Sequence, residues 1–128
     1  MSTPGVWPCL TYADAPAAIR FLVDVLGFVE RARHPGEAEG QVAHAELRWP
    51  GGGGVMLGSA RPGGLGGVPA GTGVVYVETQ DPDALHARAV AGGAEVVREL
   101  TDQDYGSREF AVRDPEGVVW SFGTWTGE

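Results

Sequence analysis

A chain of 128 residues, 43% apolar and 20% charged, has the size of one ordinary domain, is long enough to bury a core and is too apolar for disorder. Its formal net charge of −8 keeps it in solution, opposes binding to phosphate backbones and would draw cationic small molecules toward its surface. It lacks the run of about 18 apolar residues that a membrane helix needs. MSTPGVWPCL does not have the basic-then-apolar profile of a signal peptide, and a single cysteine, Cys9, allows no intrachain disulfide; the expectation is a soluble cytoplasmic protein.

The first strand signal is WPCLTY. In ADAPAAIRFLVDVLGF, which follows, Asp14 is the N-cap and Pro16 falls in the first turn; Ile19, Leu22, Val23 and Leu26 recur at helical spacing and Gly27 stops the helix. Three strand candidates come next: FVERARH, QVAHAELRW and GVMLG. Alternation in the second puts Val42, His44, Glu46 and Arg48 on one face and Ala43, Ala45, Leu47 and Trp49 on the other. The second face is uniformly apolar and suited to lie beneath the helix, and Val55 and Leu57 join it while Met56 turns away. The run Gly51 to Gly54 resembles a phosphate loop in composition only. It lacks the Lys and Ser/Thr of a nucleotide site and sits between strands, so it is a turn and implies no cofactor.

ARPGGLGGVPAGTG reads as a connector. In the strand GVVYVE after it, Val75 and Val77 point to the core, and Val74, Tyr76 and Glu78 point the other way. Asp81 caps a second helix, Pro82 opens it and Gly92-Gly93 ends it, with His86 on its outer side. AEVVREL, SREFAVRD and VVWSFGTW are the last strands, with Trp120 and Phe122 beneath the second helix. Asp114-Pro115-Glu116-Gly117 is a hairpin turn rather than a catalytic motif. The pattern is strand-helix-strand-strand-strand written twice: an α+β fold of two tandem βαβββ modules, about 5–60 and 73–126, joined by a linker at about 60–72 in a single domain. Each module predicts a curved four-stranded sheet with a helix on one face, and the open faces border a cleft.

Two blocks carry a resemblance. In PCLTYADAPAAIRFLVDVLGF they are Pro8, Leu10, Asp14, Ala18, Phe21, Leu26, Gly27 and Phe28; in YGSREFAVRDPEG they are Gly106, Arg108, Glu109, Phe110, Arg113, Asp114, Pro115 and Gly117. The doubled unit with these blocks resembles the vicinal oxygen chelate superfamily, the glyoxalase and bleomycin-resistance fold. Ser107 is an extra residue relative to the phrase of the bleomycin-binding proteins. The resemblance implies homodimers in which the first module of one chain and the second of the other build each cleft. Pro8 falls where the resistance proteins are associated with exchange of the first strand between subunits.

Metal-dependent members of this superfamily hold a divalent ion with side chains from the first and last strand of each module. Laid on this chain, those positions fall on Trp7, Met56, Val74 and Ser121, which are not ligands for a hard or borderline divalent ion. His44 and Glu46 share a strand face; they are read as polar handles of an apolar pocket, as a displaced metal pair lacking a third ligand, or as a structural pair. Cys9 has no flanking cation or His to activate it and reads as a buried inert thiol. Tyr105 matches a loop that in the bleomycin-binding relatives carries an aromatic stacked on the drug; its other reading is a loop anchor with its hydroxyl in water. The expected binding residues are Trp7, His44, Glu46, Met56, Tyr76, Tyr105 and Ser121, with no catalytic residue, metal or cofactor. Asp102, Asp104, Glu46 and Glu78 would add attraction for a basic ligand.

The resulting expectation is a metal-free protein that sequesters an aromatic, antibiotic-like natural product. The alternatives are a metal-dependent lyase, isomerase or dioxygenase with a displaced site at His44 and Glu46, a metal-independent enzyme using His44 as general base, or a metabolite carrier.

Overall fold

Each helix begins at an aspartate. The Asp14 carboxylate accepts the Ala17 N–H and the Asp81 carboxylate accepts the Ala84 N–H, each with a proline in the first turn. The computed structural model describes residues 5–62, 64 and 67–127; linker residues 63, 65 and 66 lie outside these. The elements are β1 (Cys9–Tyr12), α1 (Ala15–Phe21) continuing into a π-helical turn (Leu22–Leu26), β2 (Val29–Pro35), β3 (Val42–Arg48), β4 (Gly54–Ser59), β5 (Val74–Glu78), α2 (Pro82–Ala91), β6 (Glu95–Asp102), β7 (Arg108–Arg113) and β8 (Val119–Gly123). Gly27 ends the first helical stretch at φ 97°, a conformation only glycine adopts freely. No helix among the described residues is long and apolar enough to cross a membrane.

The strands form two four-stranded mixed sheets of identical topology, β1-β4-β3-β2 and β5-β8-β7-β6, with β1/β4 and β5/β8 parallel and the other neighbours antiparallel. The fold is α+β with two tandem βαβββ modules. One apolar cluster takes side chains from both sheets and both helices: Leu10, Leu47 and Leu57 from the first sheet, Phe110, Trp120 and Phe122 from the second, Ile19, Leu22 and Ala89 from the helices. Trp49 spans the junction, its ring 5.0 Å from Phe28 and 5.8 Å from Phe122, and its indole N–H donates to the Glu78 carbonyl. Trp120 is buried, as expected, and its ring meets Phe28 of the first module edge-on at 5.3 Å. The helix-bearing faces of the two sheets therefore share one core, and the helix-free faces lie on its outer sides.

The hairpin turn between β7 and β8 fastens the modules together. Asp114 is buried; its Oδ1 accepts the N–H groups of Glu116, Gly117 and Val118, and its Oδ2 accepts the Tyr12 hydroxyl at 2.6 Å and the Trp120 indole N–H at 3.1 Å. Glu116 reaches back to accept the N–H groups of Ala13 and Asp14 at the entry to α1. Burial first, then the hydrogen bond and charge of Asp114, push the Tyr12 hydroxyl far above the ordinary phenol range.

Three details differ from the sequence reading. Val42 is buried and Ala43 exposed, the reverse of strict alternation, because the β2/β3 register shifts between His34 and Pro35. His86 does not face outward: its ring meets Phe110 edge-on at 5.2 Å and bonds Glu99 on β6. Cys9 is exposed rather than buried, because its turn of the β1 pleat falls on the helix-free face.

Candidate functional site

The helix-free face of the first sheet is a grid set by strand register. Cys9 on β1, Met56 on β4 and Glu46 on β3 lie abreast. One pleat to one side, Thr11 pairs with Gly58, and His44 follows along β3; one pleat to the other, Arg48 pairs with Gly54, and Trp7 precedes β1. Gly58 supplies no side chain between Thr11 and His44, and a cavity of about 450 Å³ opens there, lined also by Cys9 and Met56 and roofed by linker residues Arg61 and Val68. That volume is in the range of small-molecule sites. His44 Nε2–H donates to Glu46 at 3.0 Å, and the His34 ring stacks on His44 across the β2/β3 pair at 6.0 Å. At Gly54 the absence of a side chain lets Trp7 and Arg48 close in, with the Arg48 guanidinium over the Trp7 ring at 5.1 Å.

The corresponding face of the second sheet is organised around Glu109. Its carboxylate is buried and accepts the hydroxyls of Tyr105 at 2.6 Å, Tyr76 at 3.0 Å and Ser107 at 3.0 Å, with Arg98 at 3.9 Å. Tyr76 in turn accepts the Trp125 N–H, and the Tyr105 ring meets Trp125 edge-on. Gly123 makes room for this cluster, since a Cβ there would strike the Tyr76 hydroxyl and the Glu109 side chain. Burial alone would raise the Glu109 carboxyl; hydrogen bonds from Tyr105, Ser107 and Tyr76 and the charge of Arg98 outweigh it and hold the group below the usual range. Tyr76 is raised, mainly by burial, and Tyr105 by its bond to Glu109.

The expected binding residues thus fall into two groups. Trp7, His44, Glu46 and Met56 share the outer face of the first sheet; Tyr76, Tyr105 and Ser121 belong to the second, with Tyr76 and Ser121 abreast on β5 and β8. The Tyr105 hydroxyl is not free in water but bonded to Glu109. Of the acidic groups expected to attract a base, Glu46 is engaged by His44 and Asp102 by Arg108. Alternation along the sequence places Arg48, Cys9 and Thr11 on this face but does not single them out as binding residues, and it does not place Glu109 on an open face. For Arg48 the signal was present, since it shares the alternation of His44 and Glu46.

The strand pairing also tests a divalent metal at the family's four strand positions. The residue abreast of Met56 is Cys9, two before which stands Trp7; the residue abreast of Ser121 is Tyr76, two before which stands Val74. In either register the set holds no carboxylate and no imidazole, so these residues do not fit a hard divalent ion. No three His, Cys, Asp or Glu side chains converge among the described residues, and the His44–Glu46 pair lacks a third donor.

The sequence profile of the glyoxalase/bleomycin resistance protein/dioxygenase superfamily matches residues 6–122. The chain belongs to this superfamily. The uncharacterized protein Mb0911c of Mycobacterium bovis is 38% identical over 130 aligned positions, covering 94% of this chain and 82% of that one. Among solved structures of the same fold, TioX from Micromonospora sp. ML1 is 34% identical with a TM-score of 0.76, covering 93% of this chain and 98% of that one. TnmS3, an antibiotic binding protein from Streptomyces sp. CB03234, is 23% identical with a TM-score of 0.76, covering 95% of this chain and 96% of its own; at that identity the likeness is one of fold.

Proposed function

We propose that this superfamily member is a metal-free binding protein that sequesters an aromatic, antibiotic-like natural product in the cytoplasm, lowering its free concentration without making or breaking a bond. The observation that carries this reading is the donor set of the first sheet's open face. Where metal-dependent members place ligands, this chain offers Trp7 and Met56 on the first sheet and Val74 and Ser121 on the second, and Met56 borders a cavity of about 450 Å³ on the first sheet's open face. Such a surface buries a flat apolar molecule and leaves His44 and Glu46 to orient it. The fold neighbour TnmS3 is an antibiotic binding protein, which supports the architecture as a holder of such cargo; that support is an analogy of fold.

The binding unit in this reading is a homodimer. Each chain spends its two helix-bearing faces on one shared core, so a closed cleft needs the open face of a second copy. In that arrangement Tyr76, Tyr105 and Ser121 of the partner would face His44, Glu46 and Met56.

The test is a thermal-shift and calorimetric screen against planar aromatic antibiotics, with light scattering to count subunits. A binder raises the melting temperature with concentration, saturates at one ligand per cleft and is recovered chemically unchanged. Stoichiometric divalent metal whose removal abolishes turnover of a thiol adduct or catechol would establish an enzyme instead.

A further inference from the structure

The acidic chain as a whole would favour a cationic ligand. The open face of the first sheet argues the opposite locally. Arg48 sits on the same face as Glu46 and His44, but those two are already bonded to each other. The Arg48 Nε is buried and has no hydrogen-bond acceptor among the described residues. Its guanidinium carbon lies over the Trp7 ring, 5.1 Å from the centroid, and the lack of a side chain at Gly54 lets the two meet there. A buried donor left without an acceptor is costly, and contact with the Trp7 ring restricts the guanidinium before any ligand arrives. A guanidinium has no acceptor of its own and matches planar oxygen pairs, so a carboxylate or comparable oxygen anion would meet its needs.

We infer that Arg48, lying over Trp7, is the residue that selects the ligand's polar head, and that the ligand is a planar aromatic acid: rings over Met56 and toward the Gly58 cavity, an anionic oxygen group on the Arg48 fork. This rests on the binding reading above and adds the ligand's charge class to it. The geometry is consistent along the grid. Arg48, Met56 and Gly58 lie on successive pleats of one face, so a flat molecule over Met56 reaches both ends.

Three probes with one ring system test this: 2-naphthoate, 2-methylnaphthalene and 2-naphthylmethylammonium, titrated by calorimetry into wild-type protein, R48Q and R48K, with circular dichroism confirming the fold of each variant. The proposal expects naphthoate to bind wild type about tenfold more tightly than the other two, and R48Q to bring the ratio of naphthoate to methylnaphthalene affinity down to about one. R48K, which keeps the charge and loses the fork, should fall between them. Equal binding of the three probes, a preference for the ammonium, or a naphthoate preference that survives R48Q overturns the inference and leaves the aromatic-binding reading standing. If none of the three binds, both fall.

Discussion

Replacing Tyr12 by Phe removes one hydrogen bond and leaves the buried ring in place, so it isolates the clasp between the modules. The Tyr12 hydroxyl donates to Asp114 Oδ2 at 2.6 Å, a short bond to a carboxylate, and both residues are buried. Hydrogen bonds to charged groups contribute roughly 1.5–3 kcal/mol. The Trp120 N–H still reaches the same oxygen at 3.1 Å, so Asp114 stays partly served and the loss should be about 2 kcal/mol. For a chain of this size that is a fall in melting temperature of roughly 6–10 °C. The pH dependence gives a second, independent reading. The Tyr12 pKa is raised in the fold, so its stabilisation is complete below the unfolded value near 10 and is lost as pH rises above it. Wild-type stability should therefore decline above about pH 10, by up to ~1.4 kcal/mol per unit from this group, and the decline should be shallower in Y12F. Tyr76 and Tyr105 titrate in both proteins, so the difference between the two curves belongs to Tyr12. Urea unfolding between pH 7 and 11 measures both quantities. A Y12F midpoint within about 0.5 kcal/mol of wild type, with parallel pH curves, would refute the clasp.

Further outcomes follow from the same contacts. Glu109 is held below its ordinary pKa, so the stability it contributes is present above about pH 4.5 and lost as pH falls through its folded value; E109Q should flatten the acid limb of urea unfolding between pH 3 and 6. D81A removes the acceptor for the Ala84 N–H and should cost about 1 kcal/mol in the same assay. Cys9, exposed on the open face, should react with a disulfide reagent in the native protein, and a saturating aromatic ligand should slow that reaction severalfold; a rate indifferent to ligand would place the ligand elsewhere.

Much of this molecule is legible in its sequence. Asp14 and Asp81 each announce a helix because a carboxylate before a proline answers two local demands at once, an acceptor for free N–H groups and a residue that needs no N–H partner. His44, Glu46 and Met56 were assigned to the open face by period-two alternation, which survives wherever one face is buried and the other is not. The failures have equally local causes. Glu109 escaped because β7 is buried on both faces over 109–112, so alternation carries no signal there and the carboxylate reads as part of a motif rather than of a binding face. Val42 and Ala43 exchanged sides at a bulge, which inserts no recognisable letter into the sequence. The use of Asp114 as a clasp depends on Tyr12, 102 residues away, and no local pattern reports it.

The two open faces are not equivalent, and the difference bears on where a ligand gains most. On the second sheet the polar groups answer one another: Glu109 is bonded by Tyr76, Tyr105 and Ser107, and Tyr76 by Trp125. A ligand placed there would have to break bonds already made, and a saturated network holds its shape. The first sheet has a depression at Gly58, a thioether beside it, and a guanidinium with a buried donor and no acceptor. A ligand oxygen at the Arg48 Nε would meet a donor that has no acceptor of its own. If two chains pair as proposed, the second sheet of one copy is therefore better suited as a rigid wall and the first sheet of the other as the recognition surface. Affinity should then be more sensitive to changes at Arg48, Trp7 and Met56 than to changes at Tyr76 and Tyr105, which should act first on stability.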